Sequence, residues 1–157
     1  MQRTGPATTD VFTKVKRSWV MSRIRGKDTG PERSVRSFLH QRGFRFRLHL
    51  KALPGCPDIV LPKLKTAIFV HGCFWHHHLN CEYAVYPKNR AAFWRKKIEG
   101  TIARDRNAIR KLRSLGWTSI IVWECEIERD SRCFDKLLKR LTKAVASEKR
   151  SRAKSAR

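Results

Sequence analysis

The segment HGCFWHHHLNC brings Cys73, His76, His77, His78 and Cys81 within nine residues, and Cys125 follows in the string Trp-Glu-Cys. A tetrahedral zinc ion takes four thiolate or imidazole ligands, and a local Cys/His cluster plus one remote Cys suits that demand. Cys73, His78, Cys81 and Cys125 are the expected set. Such a Cys₃His site is closed, so its role would be structural: clipping an irregular loop to the end of a strand. The spacing alone also accommodates three buried free thiols beside a surface histidine run. Cys56 and Cys133 have no histidine neighbours and read as small core or surface thiols. Asp58, directly after Pro57 and before an apolar run, stands where metal-dependent nucleases commonly carry a first metal carboxylate. The (D/E)-x-K pattern expected on the next strand is broken here, because those positions are Phe69-Val70-His71. Read by itself, Asp58 would also serve as a turn or cap residue. The histidines add weight to the catalytic reading. Phosphodiester hydrolysis needs a cation to offset phosphate charge and a group that moves a proton. Histidine as a residue type can do the second task, and His71 and His76 are the two not needed by zinc; His77 is either a phosphate contact or solvent-exposed.

The elements that must position these residues are legible in outline. Thr29-Gly-Pro-Glu32 reads as a helix start, with a Thr cap, Pro31 in the first turn and Glu32 at the capping-box position. Val35, Phe38 and Leu39 give that helix one buried face, and Gly43 is its stop. Phe44–Leu48, Asp58–Leu61 and Thr66–Val70 read as strands, separated by the rigid turn Leu53-Pro-Gly-Cys-Pro57 and by Pro62 with its lysines. A long helix is predicted over Arg90–Leu115, with Phe93, Ile98, Ile102, Ile109 and Leu112 inward and Gly116 as terminator. Trp117–Trp123 reads as another buried strand, and a last helix is predicted over 135–146. This order implies a single α/β domain with a central mixed sheet flanked by helices. Residues 1–13 read as a flexible leader, 14–146 as the folded domain and 147–157 as a basic disordered tail. There are no internal repeats.

Composition says what such a domain would act on. The chain has 157 residues, 41% hydrophobic, enough for one core. Its formal net charge of +23 destabilises a compact monomer by self-repulsion, which points to a polyanionic partner. Residues 1–51 carry 13 basic and 3 acidic groups, residues 136–157 carry 9 and 1, and the middle carries 14 and 9. Basic ends around a near-ordinary centre predict a folded core with ends that grip nucleic acid. No apolar run approaches the roughly 18–20 residues a bilayer span needs, and no secretory h-region opens the chain. A soluble, cytoplasmic, nucleoid-associated monomer with no membrane contact is expected. Five cysteines, an odd number, point to metal or spare thiols more than to disulfides.

Taken together, LPGCPD before a strand, then the string HGCFWHHH, Phe-Trp on a helix, and GWTSIIVWEC resemble the very-short-patch repair endonucleases. The resemblance runs from about Lys16 to Cys125. It implies a restriction-endonuclease-like fold, magnesium dependence, and a nick beside the thymine of a T:G mismatch left by deamination of 5-methylcytosine. Carried over position by position, Asp58 is the magnesium carboxylate, the Val70 main-chain carbonyl a further ligand, and His76 the general acid/base. His71 and Glu32 support them. The zinc set is again Cys73, His78, Cys81 and Cys125. Phe74, Trp75 and Trp94 match aromatic residues that wedge into the duplex. The basic stretch over 14–27, with Lys16, Arg17, Met21, Arg23 and Arg25, matches an arm that grips DNA from the minor-groove side. The implied partner is double-stranded DNA with a T:G mismatch, alongside mismatch-repair accessory proteins. Two departures stand out: Leu79-Asn80 lengthens the zinc loop by one residue, and Val70 stands where a hydroxyl residue is usual. Two other readings remain open at this point: a site-specific endonuclease of altered specificity, and a zinc-containing nucleic-acid-binding module without catalysis.

Overall fold

Thr29 caps the helix that follows it, as its sequence predicts. Its hydroxyl accepts from the Glu32 amide at 3.4 Å while the Glu32 carboxylate accepts from the amides of Thr29 and Asp28, so orphan donors of the first turn are satisfied. The helix, α1 (Gly30–Gln41), buries Val35, Phe38 and Leu39. Gly43, just beyond its end, takes the left-handed conformation expected of a helix stop. The structure, a computed structural model, describes residues 15, 16, 19, 26–130 and 132–155, with side chains described as far as Ala146. The expected DNA contacts Arg17, Met21, Arg23 and Arg25 lie outside the described residues, as do residues 1–13; Lys16 is helical and exposed.

The sheet is mixed and four-stranded, in the order β1 (Arg47–Leu48), β2 (Ile59–Leu61), β3 (Thr66–His71), β4 (Thr118–Trp123). The first two pairings are antiparallel, and β3 pairs with β4 in parallel from Thr66↔Thr118 to His71↔Trp123. A parallel pair needs a long crossover. The chain supplies it as the short helix α2 (Cys73–His76), an irregular loop, and the long helix α3 (Ala91–Ser114). After β4 come α4 (Glu124–Arg129) and α5 (Cys133–Ser155).

Both faces of the sheet are covered. Ile59, Leu61, Ile68, Ile120 and Val122 pack with α1 and with Cys133, Leu137 and Leu141 of α5, whereas Ala67 and Phe69 pack with Leu112 of α3. The two-residue alternation of β3 therefore sends His71 to the same side as Ala67 and Phe69, toward α3. This is an α/β domain with a central mixed sheet between helical layers, an architecture compatible with the restriction-endonuclease-like expectation.

Three local expectations change. Only Arg47–Leu48 of the predicted Phe44–Leu48 strand pairs; Phe44 and Phe46 instead pack against the core edge. Phe93, expected inward, is 46% exposed, because helical rotation puts it beside an aromatic surface patch rather than under the sheet. The last helix, expected to end near Ala146, keeps its backbone turn to Ser155. No helix among the described residues is long and apolar enough to cross a membrane.

Candidate active site and metal centre

The turn before β2 is fixed by contact with α3, and that contact places Asp58. Gly55 has φ +78°, and a Cβ there would lie 2.7 Å from the Ala108 Cβ, so only glycine lets the turn lie against the helix. Pro57 is fully buried, and Asp58 emerges next at the mouth of a cavity of about 510 Å³. Its Oδ2 accepts the Val70 amide proton at 2.7 Å. Burial pushes the Asp58 carboxyl above the usual range, the Val70 hydrogen bond opposes this, and the negative charge of Glu32 adds to the rise. A carboxylate penalised in this way gains from a cation at the cavity mouth.

On the cavity's other wall, α2 ends at His76, whose Nδ1 lies 2.7 Å from Asp105 Oδ2 on α3. A carboxylate only accepts, so Nδ1 carries the proton and Nε2 remains to take or give one. His71 lies parallel to the His76 ring at 3.7 Å between centroids. Burial first, and then the charge on His76, lowers the pKa of His71 to about 4, against a pull upward from Asp105. His71 is therefore neutral near pH 7, and its Nδ1 is buried without a hydrogen-bond partner. Of the two histidines, His76 has the means to shuttle protons.

Asp105 was not singled out from the sequence, although a signal exists. It lies seven residues after Ile98 and seven before Leu112, both fully buried, so it occupies the apolar stripe of α3. A lone acid on a buried stripe asks for a partner, and His76 is that partner. Glu124, at the start of α4, and Glu32 also line the cavity. Glu32 reaches it from α1, where its carboxylate is already engaged by the capping box and by Arg36.

The expected zinc ligands come together. Ligand atoms of Cys73, His78, Cys81 and Cys125 all lie within 4.8 Å of one another, and His78 Nε2 is 3.4 Å from the sulfurs of both Cys73 and Cys125. Cys125 sits in the first turn of α4, two residues past the end of β4 at Trp123. Three thiols so close resist joint ionisation: burial and then the neighbouring Cys73 push Cys125 up to about 12, and burial raises Cys73. At Cys81 burial also acts upward, but hydrogen bonds from the Tyr83 amide and the other two thiols bring it below its ordinary value. Burial lowers His78, favouring the neutral imidazole a metal needs. A soft dication relieves these conflicts together, so the donor set fits zinc. Because Cys73 opens α2 and His76 closes it, an ion there would lock the one-turn helix that carries His76.

Phe74, Trp75 and Trp94 meet in a partly exposed cluster, with ring centroids 5.0 to 6.0 Å apart. Lys97, not anticipated, places its ammonium 5.1 Å from the Trp75 ring and 5.5 Å from that of Trp94. A cation over aromatic faces, beside a cavity lined by carboxylates, suits a stacked base with its phosphate.

A family model described as "DNA mismatch endonuclease Vsr" matches residues 9–83. The chain is 47% identical over 119 residues to the type II nicking enzyme V.XorIIP of Xanthomonas oryzae pv. oryzae, covering 76% of this chain and 87% of that one. It is 45% identical over 129 residues to the type II nicking enzyme V.NmeAIP of Neisseria meningitidis, covering 82% and 91%. It is 41% identical over 129 residues to the DNA mismatch endonuclease Vsr of Escherichia coli, covering 82% of each.

Proposed function

The chain belongs to the DNA mismatch endonuclease Vsr family, and we propose that it nicks one strand of double-stranded DNA beside the thymine of a T:G mismatch. The observation that carries this reading is the convergence of Asp58 and the His76–Asp105 pair on one cavity of a strongly basic protein. Asp58 and the Val70 main-chain carbonyl would hold a magnesium ion. When bound, that ion offsets charge on the scissile phosphate and makes a water molecule a better nucleophile. His76, with Nδ1 committed to Asp105, uses Nε2 to protonate the leaving oxygen or to accept a proton from water. His71 stays neutral, stacks on His76 and fixes its plane. Cys73, His78, Cys81 and Cys125 would hold zinc in a structural role.

Mismatch preference is assigned to Phe74, Trp75 and Trp94. Inserting rings between base steps costs a few kcal/mol, and least where pairing is already weak. Lys16, Arg17, Met21, Arg23 and Arg25 would form the gripping arm on the opposite side. The enzyme would act as a cytoplasmic monomer at the nucleoid, with mismatch-repair proteins taking over its nicked product.

A nicking assay on T:G, T:A and C:G duplexes with Mg²⁺ tests this. The expected result is a single-strand nick in the T:G duplex alone, abolished in Asp58→Ala. Equal cutting of all three, or full activity in Asp58→Ala, would overturn it. A second reading has its own support, since the relatives at 47% and 45% identity are called type II nicking enzymes. In that reading flanking sequence matters as much as the mismatch, and cleavage profiling on T:G duplexes with randomised flanks measures how much.

A further inference from the structure

Asp28, Glu32 and His49 bring three ligand atoms within 4.8 Å of one another, next to Asp58, as a cation site would. The cation is already there, and it is Arg36. Its Nη1 donates to Asp28 Oδ1 at 2.5 Å and its Nη2 to Glu32 Oε2 at 2.6 Å. Nη2 also lies 3.1 Å from His49 Nε2. The Arg36 side chain is only 14% exposed, so it is committed to these partners. A guanidinium has donors and no acceptor, so the nitrogen of His49 that it meets must accept. The neutral ring then carries its proton on Nδ1, which lies 3.9 Å from Asp58 Oδ1.

That oxygen is the one the Val70 amide does not hold. His49 is also tied to Asp58 through the backbone, its amide donating to the Asp58 carbonyl at 3.2 Å, and its φ of 46° turns the chain there. Among non-glycine residues that conformation is uncommon and is kept where surroundings enforce it. One oxygen of Asp58 is thus aligned by β3 and the other faces a ring whose tautomer Arg36 sets.

We propose that Arg36 and His49 form a relay that orients Asp58 for its divalent ion, with the Arg36 guanidinium standing in for any second cation beside Glu32. His49 is on this account a positioning residue. The inference rests on the assignment of Asp58 as the metal carboxylate, but not on T:G specificity.

The test uses zinc-loaded full-length protein, with Mn²⁺ as probe and isothermal titration calorimetry without DNA, beside Mg²⁺ titrations of nicking. Wild type should bind about one Mn²⁺ per chain outside the zinc site, lost in Asp58→Ala. His49→Phe should weaken Mn²⁺ binding about 10-fold or more, and raise the Mg²⁺ needed for half-maximal nicking by a similar factor. His49→Asn, which can keep a donor on the Nδ1 side, should recover most of the loss at an unchanged melting temperature. Arg36→Met should bind a further Mn²⁺, removed again by Glu32→Gln. Wild-type Mn²⁺ affinity in His49→Phe would overturn the relay, as would a second Mn²⁺ in wild type that Glu32→Gln abolishes, or Mn²⁺ binding indifferent to Asp58→Ala. Mn²⁺ bound as expected by a protein that shows no T:G preference would overturn the mismatch reading and leave the relay standing.

Discussion

Asp58 is held in the folded chain with its ionised form penalised, first by burial and then by Glu32. Its folded pKa lies above the unfolded one, so the native state binds more protons in the interval between them. Stability from this group is complete below the unfolded value, near pH 3.9, and is lost as pH rises through the folded value. Asp58→Asn keeps an oxygen to accept the Val70 amide and removes the charge. We expect it to abolish nicking yet melt a few degrees higher than wild type at pH 7 without divalent ions. The difference should vanish below about pH 3.9, and Mg²⁺ should raise the melting temperature of wild type alone. A lower melting temperature for Asp58→Asn at pH 7 would contradict the buried-charge account. Asp105→Asn should act differently, since an amide can donate to His76 Nδ1 and favour the wrong tautomer. Single-turnover nicking should fall by about 100-fold or more, with anisotropy titrations showing unchanged DNA affinity. Of these two residues, only Asp58 was legible in the sequence, through Pro57 before it and the apolar strand after it. Asp105 sits among arginines and lysines that mask its place on the buried stripe of α3, and its partner is 29 residues away.

At the level of elements, regular spacing made helices and central strands legible, and irregular backbone did not. The capping box of α1 and the apolar runs of β3 and β4 are local signals, and the structure reproduces them within a residue or two. β1 shrank because a half-exposed edge strand draws little from its own propensity. Phe93 was misplaced because a ring at the start of a helix counts as core by type while its neighbours here are other surface rings. The loop from His77 to Arg90 has no period to read, and its left-handed residues His77, Asn80 and Arg90 include no glycine. Something other than a hydrogen-bond ladder must hold such a loop, and the Cys/His cluster is placed to do so. Cys81→Ser should therefore lower zinc content from about one per chain toward zero and lower the melting temperature. At about 2–4 °C per kcal/mol for a domain of this size, losing a structural ion is readily measured. Activity at low temperature should fall less than stability, because Cys81 does not line the cavity that holds Asp58 and His76. Full zinc occupancy in Cys81→Ser would remove it from the ligand set.

Across the whole molecule, charge separates binding from chemistry. Four of the 13 acidic residues, Glu32, Asp58, Asp105 and Glu124, line one cavity in a chain with 36 basic ones. A basic exterior attracts a phosphate backbone and an acidic floor repels it, so engagement at the cavity is expected to need a cation. Composition alone revealed the attraction; the acidic floor needed the fold, because its four members are spread from residue 32 to residue 124. The basic ends should then supply affinity that does not discriminate between duplexes. Residues 147–157 carry 5 basic groups and 1 acidic. Deleting them should reduce the slope of log affinity against log salt by up to about 4.5 if every basic group meets a phosphate. The loss should be equal for T:G and T:A duplexes, measured by fluorescence anisotropy from low to physiological salt. The restriction of nicking to the T:G duplex should be unchanged, since the rings of Phe74, Trp75 and Trp94 and the cavity beside them are untouched. A truncation that changed that restriction would place discrimination in the tail and take it away from the aromatic cluster.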